Sequence, residues 1–304
     1  MTGKRDVPAA GRILVGAGSW SERTLVHESR WYPRRSMKAA ERIAYYASRF
    51  PLVEIDATSR FPPTPELARQ WAQRTPAGFT IDVQGWTLLT GGAALPDSLW
   101  EDLRDEVRPE LHDRRRLYLG HLTPAGRSEA WARFRHALRP LAEAGRLGAV
   151  VMRYPAWLQP GDTGRTLLAE ARAELGDLPV AVELTHPRWL AGRACEETLG
   201  FLEDAGLGFV CVDRAGDEGR PVVAATSDTA VVRLPGRNPG NWEEPDLSIG
   251  ERHAYRYTTD ELAGWVPALL ELAATAAEVH VLLSNTFRDD AVTNAADLLA
   301  LLNL

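Results

Sequence analysis

Eight short β-branched runs separated by stretches of helical periodicity constrain this chain more than any other feature. ILVGA (13–17), LVEID (52–56), FTIDVQ (79–84), AVVMR (149–153), VAVEL (180–184), FVCVD (209–213), AVVRL (230–234) and VHVLLSN (279–285) read as strands. Between most of them, residues 37–49, 64–74, 129–145, 163–175, 194–205, 260–275 and 292–302 repeat apolar side chains at helical spacing. Thr64-Pro65 and Thr259-Asp260 are start signals, and Pro267 is expected to kink the helix it falls in or begin a second one. Alternating strands and helices call for a parallel sheet, since parallel neighbours are joined by crossovers. Eight such units in 304 residues predict one α/β domain over 1–304, a (β/α)8 TIM barrel.

A doubly wound open sheet is the competing topology. GAGSWS after the first strand has Ser21 where a dinucleotide fingerprint needs its third glycine, so Gly16 and Gly18 read as turn residues. Connections 17–35, 85–128 and 235–258, after strands 1, 3 and 7, are long. A barrel stands them over its C-terminal face, where ligands bind. The last, with Trp242 and Tyr255, reads as a lid or as a packed surface loop.

Charge narrows the partners. The formal net charge is −6 and the only lysines are Lys4 and Lys38, so no basic stripe marks a nucleic-acid footprint. Cys195 and Cys211 make neither a disulfide framework nor a zinc-type pair, and the N-terminal apolar stretch is short and broken by glycine. A cytoplasmic protein with no membrane attachment and a small-molecule ligand is expected.

Strand side chains alternate between faces, so each strand sorts into a helix-facing and an axis-facing set. Val180, Val182 and Leu184 facing the helices leave Ala181 and Glu183 inward; Val53 and Ile55 outward leave Glu54 and Asp56 inward. The same rule turns Asp82, Gln84, Arg153, Cys211, Asp213, Arg233 and Asn285 inward, with Val83, Met152, Val212, Leu234 and Leu282 under helices. Barrel interiors are normally filled by Val, Ile and Leu, so charges converging from so many strand ends point to a site, although a self-satisfied ion network is the plainer account. Trp20, Trp86, Trp157 and Trp189 follow strands 1, 3, 4 and 5 and are expected to wall a pocket at the same end, whereas Trp71, Trp131 and Trp265 read as core.

The ordered set GAGSW (16–20), WYP (31–33), YYASRFPLVEID (45–56), WAQRTPAGFTIDVQ (71–84), AVELTHPRW (181–189), VVRLPGR (231–237), YRYTTDEL (255–262) and SNTFRDDAVTNAADLL (284–299) resembles the YecE-like family, number 72 among the domains of unknown function. The resemblance spans nearly the whole chain. It implies a TIM barrel with a pocket at the C-terminal strand ends, and no particular reaction. Glu54, Glu183, His186, Asp213, Arg233, Asn285 and Asn294 match the family pattern. Gln84 stands where that pattern has lysine, Arg153 where it has glutamine, Thr185 where it has arginine, Pro235 where it has histidine, and Ser284 where it has asparagine.

Three chemistries suit these residues. In the first, Glu183, Asp213 and Glu54 carry out acid/base work on a polar or carbohydrate-like molecule, as in a hydrolase or isomerase, with Arg153, Arg233, Asn285, Gln84, Asp82 and the four tryptophans binding it; no cofactor is expected. In the second, Glu183, His186 and Asp213, with Glu54, hold a divalent metal. The third is a non-catalytic small-molecule binder, suggested by Gln84 and Pro235 in place of groups able to transfer protons.

Overall fold

The computed structural model describes residues 11–213, 221–238 and 246–304. Its strands are β1 (Arg12–Ala17), β2 (Leu52–Ile55), β3 (Thr80–Gln84), β4 (Leu147–Tyr154), β5 (Val180–Leu184), β6 (Gly208–Val212), β7 (Thr229–Leu234) and β8 (Glu278–Leu283). Each pairs in parallel with the next, and β1 closes the ring on β8 through the register Arg12↔Glu278 to Ala17↔Leu283. Closure leaves no sheet edge unpaired, and the doubly wound alternative is ruled out.

The helices are α1 (Arg23–His27), α2 (Ala39–Ala47), α3 (Pro65–Arg74), α4 (Glu101–Arg104), α5 (Pro124–Glu143), α6 (Asp162–Leu175), α7 (Arg193–Asp204), α8 (Ile249–Arg252), α9 (Thr259–Ala273) and α10 (Asp290–Leu302). Local chemistry sets their ends. Thr64 accepts from the Leu67 N–H at 3.2 Å with Pro65 in the first turn of α3, and Thr258 forms a capping box with Glu261 at the start of α9. Pro267 lies inside α9 without ending it, because Leu262, Trp265, Leu269 and Leu272 keep the helix pressed on the sheet on either side of it.

Alternation divides the core in two. Val15, Val53, Val83, Met152, Val182, Leu234 and Val281 pack under the helices with Trp71, Trp131 and Trp265. Leu14, Leu52, Ala149, Val151, Ala181, Val210, Val231 and Leu282 fill the barrel axis. Two strands therefore have the phase opposite to the expected one. In β6 Val210 and Val212 face the axis while Cys211 packs outward, and in β8 Leu282 faces the axis. Among the described residues no helix is long and apolar enough to cross a membrane.

Candidate active site

Strands β2, β3, β4, β5 and β7 deliver polar side chains to the C-terminal end of the axis. Arg233 is the hub: its Nη1 donates to Glu183 Oε2 at 2.5 Å, its Nη2 to Glu54 Oε2 at 2.9 Å and its Nε to Ser284 Oγ at 3.3 Å. Arg153, whose register neighbour is Glu183, brings its Nε to 2.9 Å from Glu183 Oε1. Gln84 Nε2 donates to Glu54 Oε2 at 3.4 Å. Of the expected group, Glu54, Gln84, Arg153, Glu183 and Arg233 therefore meet.

Burial differs sharply within the group. Glu54, Glu183 and Arg233 are buried, whereas the Arg153 side chain is 51% exposed. Removal from water pushes Glu54 up to about 7. Arg233 pulls it the other way, but Asp56, Asp82 and Glu183 add repulsion. The same guanidinium is held protonated, its burial outweighed by Glu54 and Glu183. These opposite outcomes are consistent, since one cation is shared among several acids and Glu54 is the wholly buried one. Among the described residues Glu54 Oε1 has no hydrogen-bond partner.

Beside this hub opens a cavity of about 370 Å³, lined by Gln84, Gly85, Thr90, Arg153, Ala156 and Thr185 among others. Its hydroxyls are already committed as donors: Thr90 to the Thr87 carbonyl, Thr185 to the Tyr154 carbonyl and Ser59 to the Asp56 carbonyl. With their protons so committed, Thr90 and Ser59 present acceptor lone pairs, while the Arg153 and Gln84 groups are donors. His253, ahead of α9, also belongs here: burial and then the charges of Arg153 and Arg233 push its imidazole down to about 4, against a hydrogen bond with the Pro235 backbone.

Other expected members lie elsewhere. Asp213 accepts from Arg237 Nε at 2.8 Å, Arg237 Nη2 at 3.0 Å and the Tyr257 hydroxyl at 2.8 Å. Asn285 Nδ2 donates to the Tyr255 carbonyl at 2.7 Å and to Asn294 Oδ1 at 3.0 Å. Asn294 in turn holds the Tyr257 backbone from both sides, accepting from its N–H and donating to its carbonyl, each at 2.9 Å. These residues clamp the segment entering α9 and do not touch the Arg233 hub; the reversed phase of β6 and β8 is the reason.

Asp82 faces inward as expected but sits deeper on the axis, with both its oxygens 3.0 Å from His280 Nδ1. His280 Nε2 is 3.2 Å from Glu278, which reaches Arg12 at 2.6 Å. Burial opposes the imidazolium, yet Asp82 and Glu278 together carry it up to about 9. Gly148 makes the room, since a Cβ there would lie 2.4–2.6 Å from Thr80, Asp82 and His280 atoms.

The expected tryptophan wall is not formed. Trp20 packs edge-on against Trp71 at 6.4 Å and Trp86 against Trp100 at 5.4 Å, while Trp189 donates its indole N–H to the Leu158 carbonyl at 2.7 Å. All three are buried beneath the loops, because an indole gains more against the sheet-and-helix layer than over a water-filled mouth. Trp157 is 55% exposed, with its ring edge on Gly91. Among the described residues none of the four lines the cavity. Trp242 lies outside the described residues.

The donor set for a divalent metal is likewise dispersed. His186 Nδ1 accepts from the Arg188 N–H at 3.1 Å, Asp213 is held by Arg237, and Glu183 faces two arginines. Among the described residues no three His, Cys, Asp or Glu side chains are placed to hold a metal ion. Those three do not fit one.

Sequence reasoning missed His280, His253 and Arg237. His280 carried the clearest signal, a titratable residue alternating with Val279 and Val281 inside a strand.

A parallel barrel with charged groups gathered at the C-terminal ends of its strands belongs to the TIM-barrel class. The comparisons narrow it further. The family model described as "Protein of unknown function DUF72" matches residues 14–304, and the chain belongs to that family. It is 26% identical over 299 residues to the UPF0759 protein YunF of Bacillus subtilis, covering 96% of this chain and 95% of that one. A DUF72 family protein from Enterococcus faecalis superposes with a TM-score of 0.73 at 23% identity, covering 97% of this chain and 98% of the other. One from Thermotoga maritima gives 0.72 at 22%, covering 96% and 100%. At these identities the two structures speak for the fold.

Proposed function

We propose that this protein is an enzyme performing acid/base chemistry on a hydroxylated polar small molecule bound at the C-terminal face, with Glu54 as the proton carrier. The observation that supports it is Glu54 itself, wholly buried, with one oxygen unpartnered among the described residues and a proton affinity raised to about 7, beside a cavity that Gln84 and Arg153 line. A carboxyl group near the working pH both gives and takes protons efficiently. Arg233 fixes Glu54 and Glu183 on its two terminal nitrogens, and Gln84 links Glu54 to the cavity wall. The volume falls within the roughly 300–1,000 Å³ usual for small-molecule sites.

The test is NMR of sugars, sugar acids and sugar phosphates incubated with the protein in deuterated water. Turnover is read as new products or as deuterium entering at carbon. Glu54→Gln is expected to lower turnover by about a hundredfold or more while leaving binding intact. Ligands that bind without turnover, equally to the wild type and Glu54→Gln, would make this a binding protein.

A further inference from the structure

The charges around the cavity are unequal once they are paired off. Deep on the axis His280 answers Asp82, and at the clamp Arg237 answers Asp213. At the hub two guanidiniums, Arg153 and Arg233, face Glu183 and a Glu54 that is protonated below about pH 7, while Asp56 is set first against Arg60. With Glu54 protonated, one positive charge is left over. Arg233 spends all three of its nitrogens on Glu183, Glu54 and Ser284. Arg153 spends only Nε, on Glu183, and its side chain is half exposed where it lines the cavity. Its terminal nitrogens have no protein partner among the described residues, which leaves a planar fork of donors open to a ligand.

A second observation points the same way. The imidazole of His253 is held neutral first by burial and then by the charges of Arg153 and Arg233, so the field that reaches it from the hub is positive despite Glu183 between the two arginines. An anion placed on Arg153 would cancel that field.

We propose that the cavity takes a hydroxylated small molecule bearing an oxyanion, a carboxylate or a phosphate, docked on the terminal nitrogens of Arg153. The hydroxyls of the ligand donate to Thr90 and Ser59, whose own protons are turned to backbone carbonyls. The proposal rests on reading this cavity as the substrate site and names the class of substrate it selects. Glutamine at position 153 would retain a donor and lose the charge and the bidentate fork.

The test is calorimetric titration of the whole protein with gluconate, glucose 6-phosphate and glucose, in parallel with Arg153→Gln. One or both of the anionic probes should bind, glucose should bind at least roughly tenfold more weakly, and Arg153→Gln should weaken the anion by roughly tenfold or more. Binding of gluconate alone would assign a carboxylate, and of glucose 6-phosphate alone a phosphate. The ¹³Cε1 resonance of His253, assigned with His253→Gln, supplies a readout that a merely structural arginine would not move. Its titration midpoint should rise by roughly one unit when the anion is bound, and should also rise in ligand-free Arg153→Gln. Glucose binding as tightly as both anions, anion affinity unchanged in Arg153→Gln, or no binding of either anion would overturn the proposal. Turnover of a neutral sugar that needs Glu54 would sink the anion site and leave the acid/base reading standing; tight anion binding without chemistry would do the reverse.

Discussion

Glu54→Gln makes the sharpest test of the electrostatics, because the side chain keeps its shape and loses only its titration. The folded protein holds the Glu54 proton up to about pH 7, whereas the unfolded chain releases it near 4.5. Across that window the native state binds more protons than the unfolded one, so stability falls as pH rises. At about 1.36 kcal/mol per unit, the displacement from 4.5 to about 7 amounts to about 3 kcal/mol. Glu54 is wholly buried, so solvent screening does not dilute that figure. Glutamine has no such window. Relative to the wild type, the variant should therefore gain about 3 kcal/mol between about pH 4.5 and about pH 8, being the less stable at the acid end if the lost hydrogen bond dominates there. Urea unfolding at a series of fixed pH values measures the difference directly. With an unfolding entropy of about 2.1 cal/mol/K per residue over 304 residues, the same change is worth roughly 5 °C in Tm. A stability difference flat with pH to within about 0.5 kcal/mol would refute the reasoning, since it would mean that Arg233 offsets the whole cost of burying the carboxylate.

The axial pair titrates in the same direction, in a window about two pH units higher. His280 binds its proton more tightly folded, at about 9 against 6.5, so its contribution is complete below about pH 6.5 and is lost as pH rises through about 9. Asp82→Asn should abolish that alkaline loss of about 3 kcal/mol, as read by denaturant unfolding at about pH 6 and about pH 10; an unchanged slope would place the titration elsewhere. Gly148→Ala would push a methyl group into Asp82 and His280 and should cost about 1–3 kcal/mol, against a near-neutral outcome if the layer can spread.

Most of the architecture was legible because barrel strands bury both faces and therefore announce themselves as β-branched runs whatever their phase. Phase is a finer matter. In VAVEL the three large apolar residues fall on one parity, so Glu183 had to point inward. In FVCVD both parities are apolar, Phe209 with Cys211 and Val210 with Val212, and only Asp213 distinguishes them in the sequence. Val210 and Val212 take the inward parity instead, which turns Asp213, one residue beyond β6, away from the axis. VHVLLSN is ambiguous in the same way: Asn285 favours one phase, but His280, Leu282 and Ser284 form the inward row and leave Asn285 on the other parity. The tryptophans were misplaced for a different reason, since a position just after a strand says which end of the barrel a side chain is near and nothing about whether it turns over the mouth or back beneath the loop.

The misplaced residues still bear on the site, at one remove. Asp213, Asn285 and Asn294 fasten the Tyr255 and Tyr257 segment, and Gly236 joins the same fastening by donating its N–H to the Tyr257 hydroxyl at 2.9 Å. His253 stands two residues before Tyr255 and is hydrogen-bonded to the Pro235 backbone, next to Gly236. The clamp therefore fixes both ends of the chain that carries His253 to the two arginines. The mouth is thus built from two sets of strands with separate duties: β2, β3, β4, β5 and β7 present the charges, while the ends of β6 and β8 tie down the segment that faces them. Because Arg233 is shared by two carboxylates and Asp213 is paired with Arg237, loosening the clamp should change where His253 stands without unpairing the hub. Asp213 and Asn285 on the one hand, and Glu54 and Glu183 on the other, thus have two mechanical roles around one cavity, and only the second pair meets at the Arg233 side chain.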